Sequence, residues 1–187
     1  MHKNVKLLLL TSILIHSGAN LLAPIYAIFI KDIGGDLIDA GIAIGIYALL
    51  KGVFYFIIGK IDENRVSKKI MMFAGYSIMG LGYGAYIIAG KPLDVFIIQG
   101  ILSLGETIIN PSWSAIIATS LEKGKERHLY SHFFGYRSIF EGIAAIVGGL
   151  FAMRFGFNLI FGIMAAFALA SGLLSLLIDE KEQNLQA

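Results

Sequence analysis

Six long apolar stretches take up almost the whole of this 187-residue chain, and only short polar segments separate them. A helix of about 20 residues crosses the roughly 30 Å hydrocarbon core of a bilayer, and each stretch is long enough to do so. The composition agrees, because 57% of the residues are hydrophobic and only 15% are charged. We therefore predict an all-α integral membrane protein in which residues 1–187 form a single six-helix transmembrane domain. The predicted helices cover residues 5–30, 38–61, 70–89, 93–121, 129–153 and 157–178.

The residue types present argue against several classes of function. There is no cysteine, which excludes disulfides, thiolate metal ligands and thiol nucleophiles. His128 and His132 stand four residues apart, but no nearby residue supplies a third metal ligand. No set of a nucleophile with its base is visible. We expect neither an enzyme nor a protein that holds a metal or cofactor, and we expect no nucleic-acid partner.

The distribution of basic residues predicts the orientation in the membrane. The apolar run that begins near Leu7 continues to Ile30, which is too long for a secretory signal, so the first helix is expected to stay uncleaved. Three basic residues lie on one side of the membrane and ten on the other, and basic loops favour the cytoplasm. Both termini are therefore predicted to be cytoplasmic. The smaller set is Lys31, Lys91 and Arg154, and the larger set is Lys3, Lys6, Lys60, Arg65, Lys68, Lys69, Lys123, Lys125, Arg127 and Lys181.

Sequence motifs in three helices, and in the loop that follows a fourth, resemble those of a transporter family. A polar loop follows the second helix, with a glycine, two acids, an arginine and a basic pair: Gly59, Asp62, Glu63, Arg65, Lys68 and Lys69. The fourth helix has Gln99-Gly100, then Gly105 and Pro111, and the fifth has Gly148-Gly149. In content and order these motifs, with the end of the first helix, resemble the major facilitator superfamily. The arginine that the family places before the glutamine is Phe96 in this chain.

The resemblance implies a particular fold and setting. The family is built from two six-helix halves, each with a three-plus-three inverted repeat, and this chain resembles one half, the N-terminal one. Asn20 before Pro24 and Asn110 before Pro111 stand at corresponding points of the two repeats, on helices that line the family's central cavity. The resemblance further implies a prokaryotic plasma membrane, and Gly148 and Gly149 are expected to serve helix packing.

Polar residues inside the apolar spans are the candidates for a functional site. An ionised group near the bilayer centre costs at least about 2.5 kcal/mol unless it faces a cavity or a partner. Counting from the helix ends places four polar residues at the midplane and three one helical turn nearer the cytoplasm. The midplane residues are Asn20, Lys51, Glu106 and Glu141, and the others are His16, Asn110 and Arg137.

Two roles are open for these charges. Arg137 and Glu141 are spaced to pair along the fifth helix, with Glu106 as a possible second partner. Such pairs either order the bundle or act as a relay in which a carboxylate exchanges a proton. We expect Glu106 to be functional. Lys51 faces either the central cavity or another half of the protein.

The functional hypothesis is a half-size secondary transporter that works as a parallel homodimer. It would move a small molecule by rocking one copy against the other, coupled to a proton or another ion, and the Gly-Gly motif favours efflux by antiport. The only other expected partner is membrane lipid. As a gate, Asp62 or Glu63 is expected to approach Ser131 of the second copy. The alternative is a non-transporting partner that pairs with another transporter half.

Overall fold

The computed structural model describes residues 3–60, 66–120, 124 and 126–179, and the regular structure in them is entirely helical. Six of its helical segments are long and apolar enough to cross a membrane, which confirms the all-α, six-span prediction. The first span is α1 and α2 together, and each later helix is one span. The helices are α1 (Lys3–Leu22), α2 (Tyr26–Asp32), α3 (Leu37–Ile58), α4 (Lys68–Ala85), α5 (Pro92–Thr119), α6 (Glu126–Phe155) and α7 (Phe157–Ser175).

The ends of the helices follow local sequence signals. A 3₁₀ turn at Ala23–Ile25 separates α1 from α2 around Pro24, which has no N–H to donate to the helix. α3 begins with a capping box, in which the Asp36 carboxylate accepts from the Asp39 N–H and the Asp39 carboxylate accepts from the Asp36 N–H. Gly156 alone separates α6 from α7, and its φ of 77° is a left-handed conformation that favours glycine. The turn at Ala23–Ile25 lies inside the helix predicted over residues 5–30.

Contacts between the helices follow an internal repeat. α3 packs on α5 as α6 packs on α1, and α4 packs on α5 as α7 packs on α1, while α4 and α7 pack on each other. If each of the first three spans is exchanged for its counterpart among the last three, this set of contacts stays the same. This is the pattern that a three-plus-three repeat produces.

Consecutive helices are not always neighbours, even though the connections between them are short. Among the described residues, α3 makes few or no contacts with α4, and α5 few or none with α6. The reason is that the second helix of each repeat packs against the first helix of the other repeat. The two repeats are therefore interleaved around a shared core of α1, α4, α5 and α7.

α3 and α6 are the least covered helices of the bundle. Only 6% of the most apolar stretch of α3 and 11% of that of α6 is buried, against a third or more for each of the other spans. Each of these two helices contacts the core along one narrow face. Most of their surface is therefore available for lipid or for another protein chain.

Glycines allow close approach at three helix crossings. A Cβ on Gly75 would lie 2.6 Å from the carbonyl oxygen of Gly105, and one on Gly148 would lie within 3 Å of the backbone of Leu21. A Cβ on Gly80 would lie 3.1 Å from the side chain of Leu169 on α7. Small residues at such crossings let membrane helices pack through their backbones. No atom lies within 4 Å of an added Cβ at Gly149, which we expected to serve packing, or at Gly41, Gly45 and Gly84.

The neighbouring pair Gly148 and Gly149 provides a matched test of this packing. We expect Gly148→Ala to lower the free energy of unfolding by about 1–3 kcal/mol, because the methyl group must push α6 away from Leu21. Gly149→Ala should be neutral or slightly stabilising, since alanine favours a helix by up to about 1 kcal/mol over glycine. Unfolding in mixed micelles measures both variants. Equal stability of the two would contradict the crossing.

Candidate functional site

A cavity of about 390 Å³ lies between α1, α3, α4, α5 and α6. Four of the polar residues expected at or near the midplane line it: His16, Glu106, Asn110 and Arg137. The remaining walls are largely aromatic, from Tyr47, Tyr76, Tyr83, Trp113 and Phe134. The cavity therefore combines two opposite charges with stacking surfaces inside the membrane-spanning part of the chain.

Lys51 and Glu106 form an ion pair that joins α3 to α5. The Lys51 Nζ lies 2.6 Å from Glu106 Oε1, and about three quarters of each side chain is buried. Asn110, one turn further along α5, donates to the same Oε1 at 3.3 Å and to the Tyr55 hydroxyl at 2.6 Å. The ammonium group also lies 5.5 Å from the centre of the Tyr47 ring. A charged group on the weakly covered α3 is thus held by the core helix α5.

A second group of charges joins α6 to α1. Arg137 Nε lies 3.0 Å from Glu141 Oε1 along α6, in an electrostatic contact that lacks hydrogen-bond geometry at Nε. His16 Nδ1, on α1, lies 3.6 Å from the same carboxylate oxygen. The Arg137 guanidinium also lies over the Phe134 ring, 5.1 Å from its centre. The pairing of Arg137 with Glu141 along the helix agrees with its predicted spacing.

Glu106 pairs with Lys51 and not with Arg137, which corrects one sequence-based expectation. α5 has few contacts with α6, among them Trp113 against Phe133, whereas it packs extensively against α3. Lys51 does not itself line the cavity, but its ammonium group contacts Glu106, which does. Asn20 differs from expectation as well, because its side chain donates to the His16 carbonyl at 2.9 Å and does not line the cavity.

The expected gate residues are only partly described. Gly59 ends α3, and its N–H bonds to the Tyr55 carbonyl at 2.9 Å. Lys68 and Lys69 begin α4. Asp62, Glu63 and Arg65 lie outside the described residues, so the predicted approach to Ser131 stays a prediction. At the start of α6 the rings of His128 and His132 lie 4.1 Å apart.

The third span supplies cavity residues that sequence reasoning did not identify. Tyr76, Met79 and Tyr83 on α4 all line the cavity. They recur at intervals of three and four residues, so they share one helical face. That spacing is a detectable signal, but it is equally typical of ordinary packing. Trp113 on α5 also lines the cavity, while Tyr136 and Phe140 on α6 are exposed outside it.

Comparisons with known proteins match nearly the whole chain. A family model described as Major Facilitator Superfamily matches residues 8–187. YitZ of Bacillus subtilis strain 168, an uncharacterised MFS-type transporter, is 23% identical over 158 residues, which cover 84% of this chain and 95% of YitZ. The multidrug resistance protein MdtH of Cronobacter sakazakii is 25% identical over 173 residues, which cover 88% of this chain and 41% of MdtH.

A crystal structure of the peptide transporter POT in complex with sulfate has the same fold over this chain. The TM-score is 0.79 at 21% sequence identity, and the match covers 98% of this chain and 39% of that one. The chain thus spans nearly the full length of YitZ and about two fifths of MdtH and POT.

A double-mutant cycle tests the ion pair between α3 and α5. Lys51→Met and Glu106→Gln should each destabilise the protein, because each leaves a partly buried group without its partner. The double variant should recover a coupling energy of about 1–3 kcal/mol. Lys51→Met combined with Asp94→Asn, which changes the exposed first turn of α5, serves as the additive control. Unfolding in mixed micelles gives the energies, and strict additivity of the first pair would contradict the contact.

Proposed function

Because the chain belongs to the major facilitator superfamily, we propose that it is one half of a secondary transporter and carries a small molecule through the cavity at Glu106 and Arg137. The observation that carries the proposal is the placement of opposite charges on the wall of a cavity within the membrane spans. Such charges are costly in a bilayer and mark substrate or ion pathways in membrane proteins. A bundle that served only as a scaffold would be more stable with apolar residues at these positions.

The second half of the transporter is a second copy of this chain. In the family, the two halves are related by an axis along the membrane normal, and substrate sites lie at their interface. Two identical copies would form an isologous dimer about that axis. α3 and α6 offer the matching surface, since they are largely unburied and carry glycines with open space around them, including Gly41, Gly45 and Gly142.

Transport proceeds by rocking of one copy against the other around the midplane cavity. Proton binding to Glu106 neutralises the carboxylate, and its attraction to Lys51 is lost. α3, which packs on the core along one face, then loses its ionic attachment to α5 and can shift against it. Release of the proton on the other side of the membrane restores the pair. Coupling of this kind needs a carboxylate whose countercharge lies on a different helix, as it does here.

The proposed direction is efflux in exchange for protons, across a prokaryotic plasma membrane with both termini in the cytoplasm. Two similar proteins, MdtH of Cronobacter sakazakii and MdtG of Escherichia coli, are named multidrug resistance proteins, which favours export as the direction of transport. The excess of basic residues at the ends and in the loops on one side favours the orientation.

Glycines on α3 provide a test of the homodimer. Gly45→Leu should convert the dimer to a monomer by size analysis in nanodiscs, because the larger side chain blocks the close approach of a second copy. Gly162→Leu on α7 is the matched control, since it too has open space around its Cβ but lies on another face of the bundle. We expect it to leave the dimer intact. A monomeric wild-type chain, or a dimer that tolerates Gly45→Leu, would contradict the arrangement.

Glu106→Gln tests the transport step. In proteoliposomes with a proton gradient, a panel of radiolabelled sugars, amino acids and cationic dyes should identify a transported compound. The variant should reduce proton-driven flux of that compound at least about tenfold, because the amide cannot take up or release a proton. Asp94→Asn, in the first turn of the same helix and outside the cavity lining, should retain the wild-type rate. Absence of any flux by the wild-type dimer would favour the non-transporting partner instead.

A further inference from the structure

A second cavity adjoins the first along the membrane normal. It has a volume of about 320 Å³ and shares Ala19, Tyr47, Met79 and Tyr83 with the charged cavity. Along α1 the charged cavity is lined between Ser12 and Ala19 and the second between Ala19 and Tyr26. Along α5 the second is lined by Gln99 and Leu102, and the charged one from Glu106 onward. The two cavities are therefore successive compartments of one site.

The second compartment has apolar walls. Beyond the shared residues, most of its lining consists of aliphatic side chains and a thioether, from Leu22, Ala23, Ile44, Leu102 and Met164. Its polar groups include Gln99 and Tyr26, which satisfy each other through a hydrogen bond of 2.7 Å. No Asp, Glu, Lys or Arg among the described residues lines it. This compartment is suited to an apolar group of about the size of a short alkyl chain or a ring.

The first compartment holds one charge of each sign. Glu106 and Arg137 line it, while their countercharges, Lys51 and Glu141, stand outside the lining. The site is therefore neutral before a ligand enters. A ligand with a single charge would leave that charge uncompensated in a membrane interior, whereas one with both charges keeps the balance.

We propose that the site binds a small zwitterionic amphiphile, with its cationic group at Glu106, its anionic group at Arg137 and its apolar part in the compartment between Ala23, Leu102 and Met164. This assignment rests on the proposed function in taking the charged cavity as the transport site. It adds the substrate class, which neither the family nor the names of the relatives supply.

Trp113 makes the binding directly measurable. It is the only tryptophan in the chain, and it lines the charged compartment. Its emission in the full-length protein, held in nanodiscs of anionic phosphatidylglycerol, should change when a ligand enters. The probes are alkyl sulfobetaines with ethyl to hexyl tails, compared with alkyl trimethylammonium and alkyl sulfonate ions of equal tail length. Trp113→Phe provides the blank.

The expected result has two parts. The sulfobetaine should bind at least about tenfold more tightly than either singly charged probe of the same tail. Its affinity should also rise by up to about fourfold for each added CH₂ group, as expected for transfer of a methylene from water to an apolar site. Equal affinity for the three head groups would overturn the assignment, and so would an affinity independent of tail length.

Two variants separate the compartments. Ala23→Phe fills the apolar compartment, so the gain from ethyl to hexyl should disappear while the ethyl probe binds within about twofold of its wild-type affinity. Arg137→Gln with Glu141→Gln removes one pair without leaving an unpaired charge, and it should abolish the preference for sulfobetaine over trimethylammonium. Persistence of either property in its variant would contradict the division of the site.

Lipid is tested as a competing occupant by repeating the titration in phosphatidylcholine discs. An unchanged response supports a solute ligand, and loss of the response would assign the site to a zwitterionic lipid head group and overturn the proposal for a solute. Because the titration needs no flux, its outcome is independent of the transport assay. Binding without transport would contradict the proposed function alone, and transport without this selectivity would contradict this inference alone.

Discussion

The contact between Lys51 and Glu106 is the constraint on which the arrangement of the outer helices depends. An ionised side chain within a bilayer is tolerated where a countercharge or a cavity compensates it. Lys51 stands on a helix that buries little of its surface, and its countercharge stands on the core helix α5. The ion pair and its Asn110–Tyr55 extension therefore fasten α3 to the core in addition to the packing of α3 on α5. In the proposed transport cycle, a change of protonation at Glu106 would act on this attachment.

The internal repeat places a related contact on the opposite side of the cavity. α6 is the counterpart of α3, and its Glu141 approaches His16 on α1, the counterpart of α5. The two contacts differ in chemistry. On one side the outer helix supplies the ammonium group of an ion pair, and on the other its carboxylate lies 3.6 Å from a histidine ring nitrogen.

The sequence alone was sufficient to predict features that depend on a single helix. Span positions follow from apolar length, and the Arg137–Glu141 contact follows from a spacing of four residues. The partner of Glu106 did not follow, because it depends on which helices are neighbours, and the interleaved repeats pack α5 mainly against α3 and α4. Gly148 and Gly149 differ for the same reason. They are adjacent in sequence, but only Gly148 lies on the face that meets Leu21. Tyr76 and Tyr83 were not identified from the sequence, because a helical spacing of uncharged residues is equally typical of ordinary packing.

The balance of charge within the chain bears on the proposed symmetric dimer. A two-fold axis through the cavity would present every residue twice, so any net charge contributed by one copy would be doubled at the membrane midplane. Glu106 and Arg137 each have a countercharge in the same chain, at 2.6 and 3.0 Å, so the doubled site would remain neutral. The self-compensated pairs are therefore compatible with the proposed association of the chain with its own copy.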